Sequence, residues 1–358
     1  MRRGLISQRF NQLDTKHTQL VMGSHICLHV MTLTLVILHL LQSHVTCVKF
    51  SSRQALGTVT DDVIDEASGL AVSRDHSDVM YTHNDKGGQN RIFAVQISSG
   101  VRLATFFINN VTNYDWEDLT YGPCVDDCSS GRSCSSTSPP PGRYCIYISD
   151  TGDHHGDGSR NNVYMVREPA VLQDGARLDV VDTLMFSWEG PDCETLMITP
   201  AGQLYVVSKV KQQKAKIAQL PMSAWGGPRV ALDMSQTAEV DVITSHNDPQ
   251  GGDISPDGTE MLLVFEEEVY YLFSADGDFV KAVNSQTPQR VSNYERVEST
   301  EAIAWDVRGQ GFYTIAEGKG QTIYYYSKDS DNNGAYRLTV SLTVCLFVVH
   351  LCLFIFKM

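Results

Sequence analysis

The sequence predicts an all-β fold, a single β-propeller of five or six four-stranded blades, and three observations lead to it. Between the two terminal segments, short runs rich in Val, Ile, Tyr and Phe alternate with Gly, Asn, Asp and Pro, and no stretch keeps a helical period. An acidic residue that leads into a short apolar strand recurs along the chain. The copies lie near the spacing of roughly 40 to 50 residues of a propeller blade. Only the longest interval, which contains an insert, leaves room for a sixth blade.

The recurring acids are predicted to occupy one equivalent position in every blade. The first strand of each blade lines the central channel, so acids at the start of these strands are expected to face one axial mouth. Carboxylates held this close repel one another unless a cation, a shared proton or a basic group compensates. A divalent cation, with calcium preferred over magnesium, suits carboxylate ligands. The alternative is that the acids accept hydrogen bonds from backbone amides between blades. The predicted metal ligands are Glu66, Glu117, Glu194, Asp253 and Glu301.

The second copy, at 115–119, assigns a role to each of its residues. Trp116 and Leu119 are expected to pack between blades, and Asp118 is expected to bridge blades or cap a strand. Glu117 is then the residue equivalent to the other axial acids. It is also the predicted catalytic residue.

A second acidic loop follows the predicted strand at 146–149. It contains Asp150 and Asp153, and Asp85 occupies a similar place in the first repeat. Carboxylates in a Gly-rich loop suit a metal, whereas a solvated hairpin loop is the alternative. Lys209, at the end of a strand in the third repeat, is the candidate for binding a substrate or offsetting the acids.

The two ends of the chain predict an extracellular, membrane-attached protein. Residues 1–47 contain an apolar run at 26–41 after several basic residues, as in a secretory signal peptide. Residues 329–358 end in an apolar tail with little after it, which favours a glycosylphosphatidylinositol anchor signal over a transmembrane helix. The propeller is assigned to 48–328, and its expected location is the outer face of the plasma membrane.

The cysteine content also agrees with an extracellular location. An insert at 124–145 is rich in Ser, Gly and Pro and is expected to be joined by two disulfides, whose pairing three arrangements satisfy. Zinc is the rival interpretation, but the spacing lacks paired CxxC knuckles. The sequon at Asn110 predicts a glycosylation site on the surface. The cysteines of the insert are Cys124, Cys128, Cys134 and Cys145.

Charge and missing motifs exclude several classes of function. The chain of 358 residues has a formal net charge of −14, which argues against a nucleic-acid partner because phosphate binding needs clustered Lys and Arg. The sequence contains no GxSxG elbow, no HExxH and no phosphate-binding GxxxxGK.

An ordered set of short motifs carries a family resemblance over most of residues 60–320. The motifs are Glu66-Ala67-Ser68-Gly69-Leu70, His83-Asn84-Asp85, Asp115-Trp116-Glu117-Asp118, Asp150-Thr151-Gly152-Asp153, Asp192-Cys193-Glu194, Tyr205-Val206-Val207-Ser208-Lys209, Glu301-Ala302-Ile303-Ala304 and Ala316-Glu317-Gly318. The chain resembles the secreted propellers of the "esterase-like activity of phytase" group and, more distantly, gluconolactonase and regucalcin. This resemblance implies a propeller with axial acids and calcium. The chain departs from the pattern at His154, where Asn is expected, and in its cysteine-rich insert.

Two functions follow from these expectations. One is a metal-dependent hydrolase of phosphoesters or lactones, in which the cation polarises an oxygen or activates a water and Glu117 is the general base. The other is a non-catalytic surface module that binds a small molecule or a cell-surface partner. The fold does not choose between them, because propellers carry out both roles.

Overall fold

The computed structural model describes residues 48–85, 88–125, 144–152, 160–190 and 192–329. Within these ranges the regular secondary structure is almost entirely strand, with one short helix, α1 (Phe279–Ser285), and two 3₁₀ turns (Met222–Ala224 and Met234–Gln236). The strands are β1 (Gln54–Thr58), β2 (Ala67–Val72), β3 (Val79–Asn84), β4 (Arg91–Gln96), β5 (Arg102–Ile108), β6 (Trp116–Pro123), β7 (Tyr144–Asp150), β8 (Asn161–Arg167), β9 (Ala176–Leu178), β10 (Val180–Ser187), β11 (Cys193–Ile198), β12 (Leu204–Ser208), β13 (Val210–Lys211), β14 (Lys216–Gln219), β15 (Val230–Ala231), β16 (Ala238–Glu239), β17 (Asn247–Asp248), β18 (Gly251–Ile254), β19 (Glu260–Val264), β20 (Val269–Phe273), β21 (Gln289–Arg290), β22 (Thr300–Trp305), β23 (Gly311–Ala316) and β24 (Thr322–Ser327).

Five sheets form the blades of a propeller, as the repeat predicts. Blade 1 is β2-β3-β4-β5-β9, blade 2 is β6-β7-β8-β10-β15, blade 3 is β11-β12-β14-β16, blade 4 is β18-β19-β20-β21 and blade 5 is β22-β23-β24-β1. The innermost strands contact one another in the order β2, β6, β11, β18, β22 and back to β2. The ring therefore closes with five blades, and the all-β propeller prediction is confirmed.

The ring closes by pairing the first strand with the last blade. β1 runs antiparallel to β24, with Thr58 opposite Thr322 and Gln54 opposite Tyr325. The short strand-forming runs near 57–59 and 322–325 in the sequence predict this closure. Lys328 adds a link between blades, because its Nζ lies 2.5 Å from Oε1 of Glu260 in β19.

Two blades have a fifth strand, which the repeat does not predict. β9, from the chain segment that follows β8 of blade 2, pairs in parallel with β5 of blade 1. β15 pairs in the same way with β10 of blade 2. Each addition covers the outer edge of a sheet, where unpaired backbone groups would otherwise invite association.

Apolar side chains fill the spaces between neighbouring blades. Trp116 and Leu119 of β6 pack in one buried cluster with Tyr81 of β3 and Phe106 of β5, so the predicted packing role of Trp116 and Leu119 is confirmed. Burying such side chains contributes about 1.5 to 3 kcal/mol each. This packing fixes the start of each innermost strand, where the predicted site lies.

Several predictions fall outside the described residues. These are the signal peptide at 1–47, nearly all of the tail at 329–358, and Asp153, Cys128 and Cys134. Cys124 and Cys145 form a disulfide that closes the ends of the insert. In the described part of the chain, no helix is both long and apolar enough to cross a membrane.

Candidate metal centre

Three glutamates occupy equivalent positions in blades 2, 3 and 5. Glu117, Glu194 and Glu301 are each the second residue of an innermost strand. At each of them the pairing register slips: Trp116 faces Asp150, for example, while Asp118 faces Ser149, so Glu117 is the extra residue. Such a β-bulge leaves one residue outside the ladder and redirects its side chain. The predicted equivalence therefore holds for these three residues.

Asp253 does not belong to this set, and its predicted equivalence with Glu117 is wrong. β18 pairs in regular register and has Gly252 just before Asp253. The Asp253 carboxylate accepts hydrogen bonds from its neighbour's amide, Ile254 N, and from Trp305 N in blade 5, both at 2.8 Å. It bridges two blades, which is the alternative role that the sequence allows for the recurring acids.

Asp118 is the counterpart of Asp253 in blade 2. Its carboxylate accepts from Leu119 N and from Leu196 N of blade 3, again both at 2.8 Å. The predicted inter-blade role of Asp118 is confirmed.

Glu66 also lies outside the equivalent set. It is exposed and precedes β2, and the register of β2 slips later, between Ser68 and Ala71. Gly69, with a φ of 72°, occupies the irregular position, and a Cβ there would lie 2.5 Å from Leu119 N. The close approach of blade 2 to this backbone explains why no glutamate stands here in blade 1. Glu66 is nevertheless near enough to Glu317 to help raise the pKa of that carboxyl, after the larger effects of burial and Asp85.

Two aspartates that the sequence did not single out as ligands complete the cluster. In the first group, Asp85, Asp115 and Glu117 each offer an oxygen, and these oxygens lie within 4.8 Å of one another. Glu117, Asp192 and Glu194 form the second group by the same measure. Glu117 is common to both groups. The pattern Asp-x-Glu, present at 115–117 and again at 192–194, is the signal that would have identified Asp115 and Asp192.

The other predicted members of the second acidic loop have separate roles. Asp85 follows β3, and its amide donates to Glu66 O at 3.0 Å. Its Oδ1 is buried and has no hydrogen-bond partner within the described ranges. Asp150 supports the site from behind, because its carboxylate accepts from Asp115 N and from Tyr164 OH, both at 3.0 Å. Asp150 therefore orients Asp115 and is not itself in either group.

Burial and mutual repulsion control the protonation of the cluster. Burial raises the pKa of Glu117 well above its usual value, and neighbouring Glu194 and Asp85 raise it further. Burial raises the pKa of Glu194 to about 7 against the opposing effect of Lys209. Burial, followed by the nearby Glu317 carboxylate, raises the pKa of Glu301 to about 8. Without a cation, these glutamates therefore favour their protonated forms more than exposed glutamates do.

Lys209 lies inside the cluster, as the sequence suggests. Its Nζ is 3.0 Å from Oε1 of Glu194, and its side chain is only 15% exposed. The other oxygen, Oε2 of Glu194, is buried and makes no hydrogen bond among the described residues. An anionic oxygen buried without a partner is costly, so this atom requires either a proton or a nearby cation. Asn110, the predicted glycosylation site, is exposed after β5.

No family model matches this chain, and no curated protein matches it. Three solved structures resemble its fold at low identity. They are the PQQ-bound aldose sugar dehydrogenase of Streptomyces coelicolor (TM-score 0.42, 11% identity, 78% of this chain and 99% of that one), the allergen Mala s 1 of Malassezia sympodialis (0.42, 11%, 80% and 98%) and the hydrazine synthase of Kuenenia stuttgartiensis (0.37, 12%, 72% and 70%). Likeness at this level carries no argument about chemistry, and the resemblance to the phytase-like group stays a prediction.

Proposed function

We propose that the cluster binds one divalent cation, Ca²⁺ by its ligand chemistry, through Glu117, Asp192 and Glu194. The observation that carries the proposal is Oε2 of Glu194, a carboxylate oxygen that is almost fully buried, has no hydrogen-bond partner among the described residues and lies in a group of three converging carboxylates. Hard cations with oxygen ligands satisfy such atoms. Lys209 forms its ion pair with the opposite oxygen of the Glu194 carboxylate, Oε1.

The backbone alternative does not account for these glutamates. Asp118 and Asp253 already accept the amide hydrogen bonds between blades. In the part of the chain that the structure describes, Glu194 Oε2 accepts no such bond. β-Bulges also leave Glu117, Glu194 and Glu301 unpaired in the backbone ladder and redirect their side chains. Bulges are frequent beside functional sites.

We further propose that the protein is a cell-surface hydrolase of phosphoesters or lactones. A bound divalent cation supplies Lewis-acid polarisation of a carbonyl or phosphoryl oxygen and acidifies a bound water. In this proposal Glu117, the residue shared by both groups, accepts the proton of such a water. Only a residue without a side chain fits at Gly152, because an added Cβ would lie 2.0 Å from Oε1 of Glu117.

Calcium titration by calorimetry, together with melting temperature, tests the cation site. The wild-type chain is expected to bind about one Ca²⁺ and to melt at a higher temperature when saturated. Glu117→Gln and Glu194→Gln should lose this response, whereas Glu298→Gln, which neutralises an exposed acid shortly before β22, should keep it. Absence of binding in the wild-type chain would contradict the proposal.

A panel of phosphoesters and lactones then tests catalysis. Turnover that disappears in chelator, and in Glu117→Gln, supports the hydrolase. Turnover that persists in either condition means that the mechanism is wrong, and calcium binding without turnover supports the non-catalytic ligand-binding module. The proposed surface location has its own test: a phosphatidylinositol-specific phospholipase should release the protein from cells, whereas retention indicates a transmembrane tail.

A further inference from the structure

Lys209 contacts two of the three residues that form the proposed cation group, one by a hydrogen bond and one by an ion pair. It lies between β12 and β13, and its backbone amide donates to Asp192 O at 2.5 Å. Its side chain then reaches Glu194, where Nζ lies 3.0 Å from Oε1. Lys209 is therefore held by two contacts, one at its backbone amide and one at its ammonium group.

The surroundings of Lys209 differ from those of an ordinary surface lysine. Its side chain is 15% exposed, whereas Lys211, two residues further along, is exposed. A nearly buried ammonium group needs an anionic partner, and Oε1 of Glu194 lies at ion-pair distance from it.

We infer that Lys209 is the site's own counter-cation, which holds Oε1 of Glu194, leaves Oε2 for the incoming divalent cation and so sets a low affinity for it. This inference rests on the proposed cation group. Two physical effects act in the same direction. A fixed positive charge a few ångströms from the cation opposes binding, and an occupied Oε1 restricts Glu194 to a single donor atom.

Removing the charge of Lys209 should therefore tighten calcium binding. The measurement is calorimetric titration with Ca²⁺ at pH 8, using wild type, Lys209→Met and Lys209→Arg. Lys209→Met is expected to bind Ca²⁺ at least about tenfold more tightly than wild type. Lys209→Arg keeps the charge and should stay within about threefold of wild type.

Lys211→Met is the matched control, because it removes the same charge from an exposed position on the adjoining strand. Its calcium affinity should also stay within about threefold of wild type. A second readout is the rise in melting temperature on adding Ca²⁺, which should be larger in Lys209→Met than in wild type. Lys209→Gln, which keeps a polar side chain, carries the same expectations if the Met variant does not fold in chelator.

The outcomes separate this inference from the proposed function. If wild type binds Ca²⁺ and Lys209→Met binds it equally or more weakly, the inference is wrong and the proposed cation site stands. Binding by Lys209→Met without binding by wild type supports the inference and contradicts the proposed function. Absence of binding in both contradicts both.

Discussion

Gly152 lies directly against the carboxylate of Glu117. A Cβ added to Gly152 would be 2.0 Å from Oε1 of Glu117 and 2.3 Å from Cγ of Asp115. The amide of Gly152 also donates to Asp115 O at 3.2 Å. The end of β7 thus requires a residue without a side chain, because two groups of carboxylates converge there.

Gly152→Ala is therefore expected to disrupt the cation site. The added methyl must displace Glu117 or Asp115, and a displacement of this size should weaken Ca²⁺ binding by at least about tenfold. Calorimetric titration gives the affinity, and the melting temperature in chelator reports the cost to folding. Gly227→Ala is the matched control, because the nearest atom to its added Cβ is 3.5 Å away. Unchanged affinity in Gly152→Ala would show that Glu117 does not bind the cation.

The Asp118 and Asp253 bridges should contribute to stability and not to cation affinity. In Asp253→Asn an amide NH₂ replaces one oxygen and faces a backbone N–H, so one buried donor loses its acceptor. The expected cost is about 1 to 3 kcal/mol of unfolding free energy for each Asn variant. Urea denaturation measures it, with exposed Asp62→Asn as the control.

Calcium affinity of the Asp253→Asn variant decides between the two roles considered for this residue. If Asp253 bridges blades 4 and 5, the folded variant keeps its affinity within about threefold. A large loss of affinity without loss of stability would restore Asp253 as a ligand.

Much of the fold could be predicted from the sequence because a propeller repeats one unit. The recurring acid, the strand lengths and the closing strand near Thr58 follow from local patterns. The equivalence of the acids could not be assigned so well. A β-bulge shifts the side chain by one residue, so Glu117 and Asp253 look alike in sequence but lie at different positions in their strands. The fifth strands of blades 1 and 2 could not be predicted, because β9 and β15 are too short to show an alternation of apolar and polar residues.

The pH dependence of the unfolding free energy of the cation-free protein should reveal the carboxyl groups whose pKa values are raised. The pKa of Glu301 is raised to about 8 and that of Glu194 to about 7, with burial as the main cause in both. A carboxyl whose folded pKa is raised stabilises the fold below its unfolded pKa of about 4.3, and this stability is lost as pH rises through the folded value. Buried His83 acts in the opposite sense, because its pKa of about 4 costs stability only as pH falls below about 6.5.

The informative window therefore runs from pH 6.5 to 8. In chelator, the unfolding free energy should fall across this window by about 2 kcal/mol, since each such group contributes up to about 1.4 kcal/mol per pH unit. In Glu301→Gln the decrease should be smaller. With saturating Ca²⁺ the trend should flatten or reverse, because the cation binds the deprotonated carboxylates. Urea denaturation at three pH values measures all of these, and a stability that rises with pH in chelator would contradict the assigned pKa directions.

Glu168 should stabilise the interface of blades 1 and 2 without any effect on the cation site. This buried carboxylate accepts hydrogen bonds from Ser73 Oγ at 2.5 Å, from Tyr81 OH at 3.0 Å and from Tyr121 OH, and burial raises its pKa despite these bonds. Glu168→Ala leaves three buried hydroxyls without their acceptor.

The expected cost of Glu168→Ala is about 3 kcal/mol of unfolding free energy, as for other broken buried networks. Glu168→Gln retains an acceptor oxygen and much of the volume, so its cost should be clearly smaller. Urea denaturation measures both variants, and calcium titration of the folded protein should return the wild-type affinity. Equal stability of Glu168→Ala and wild type would mean that the hydroxyls find other partners. Loss of calcium binding in Glu168→Gln would instead show that the interface of blades 1 and 2 and the metal centre are coupled, because Glu117 and Tyr121 lie on the same strand, β6.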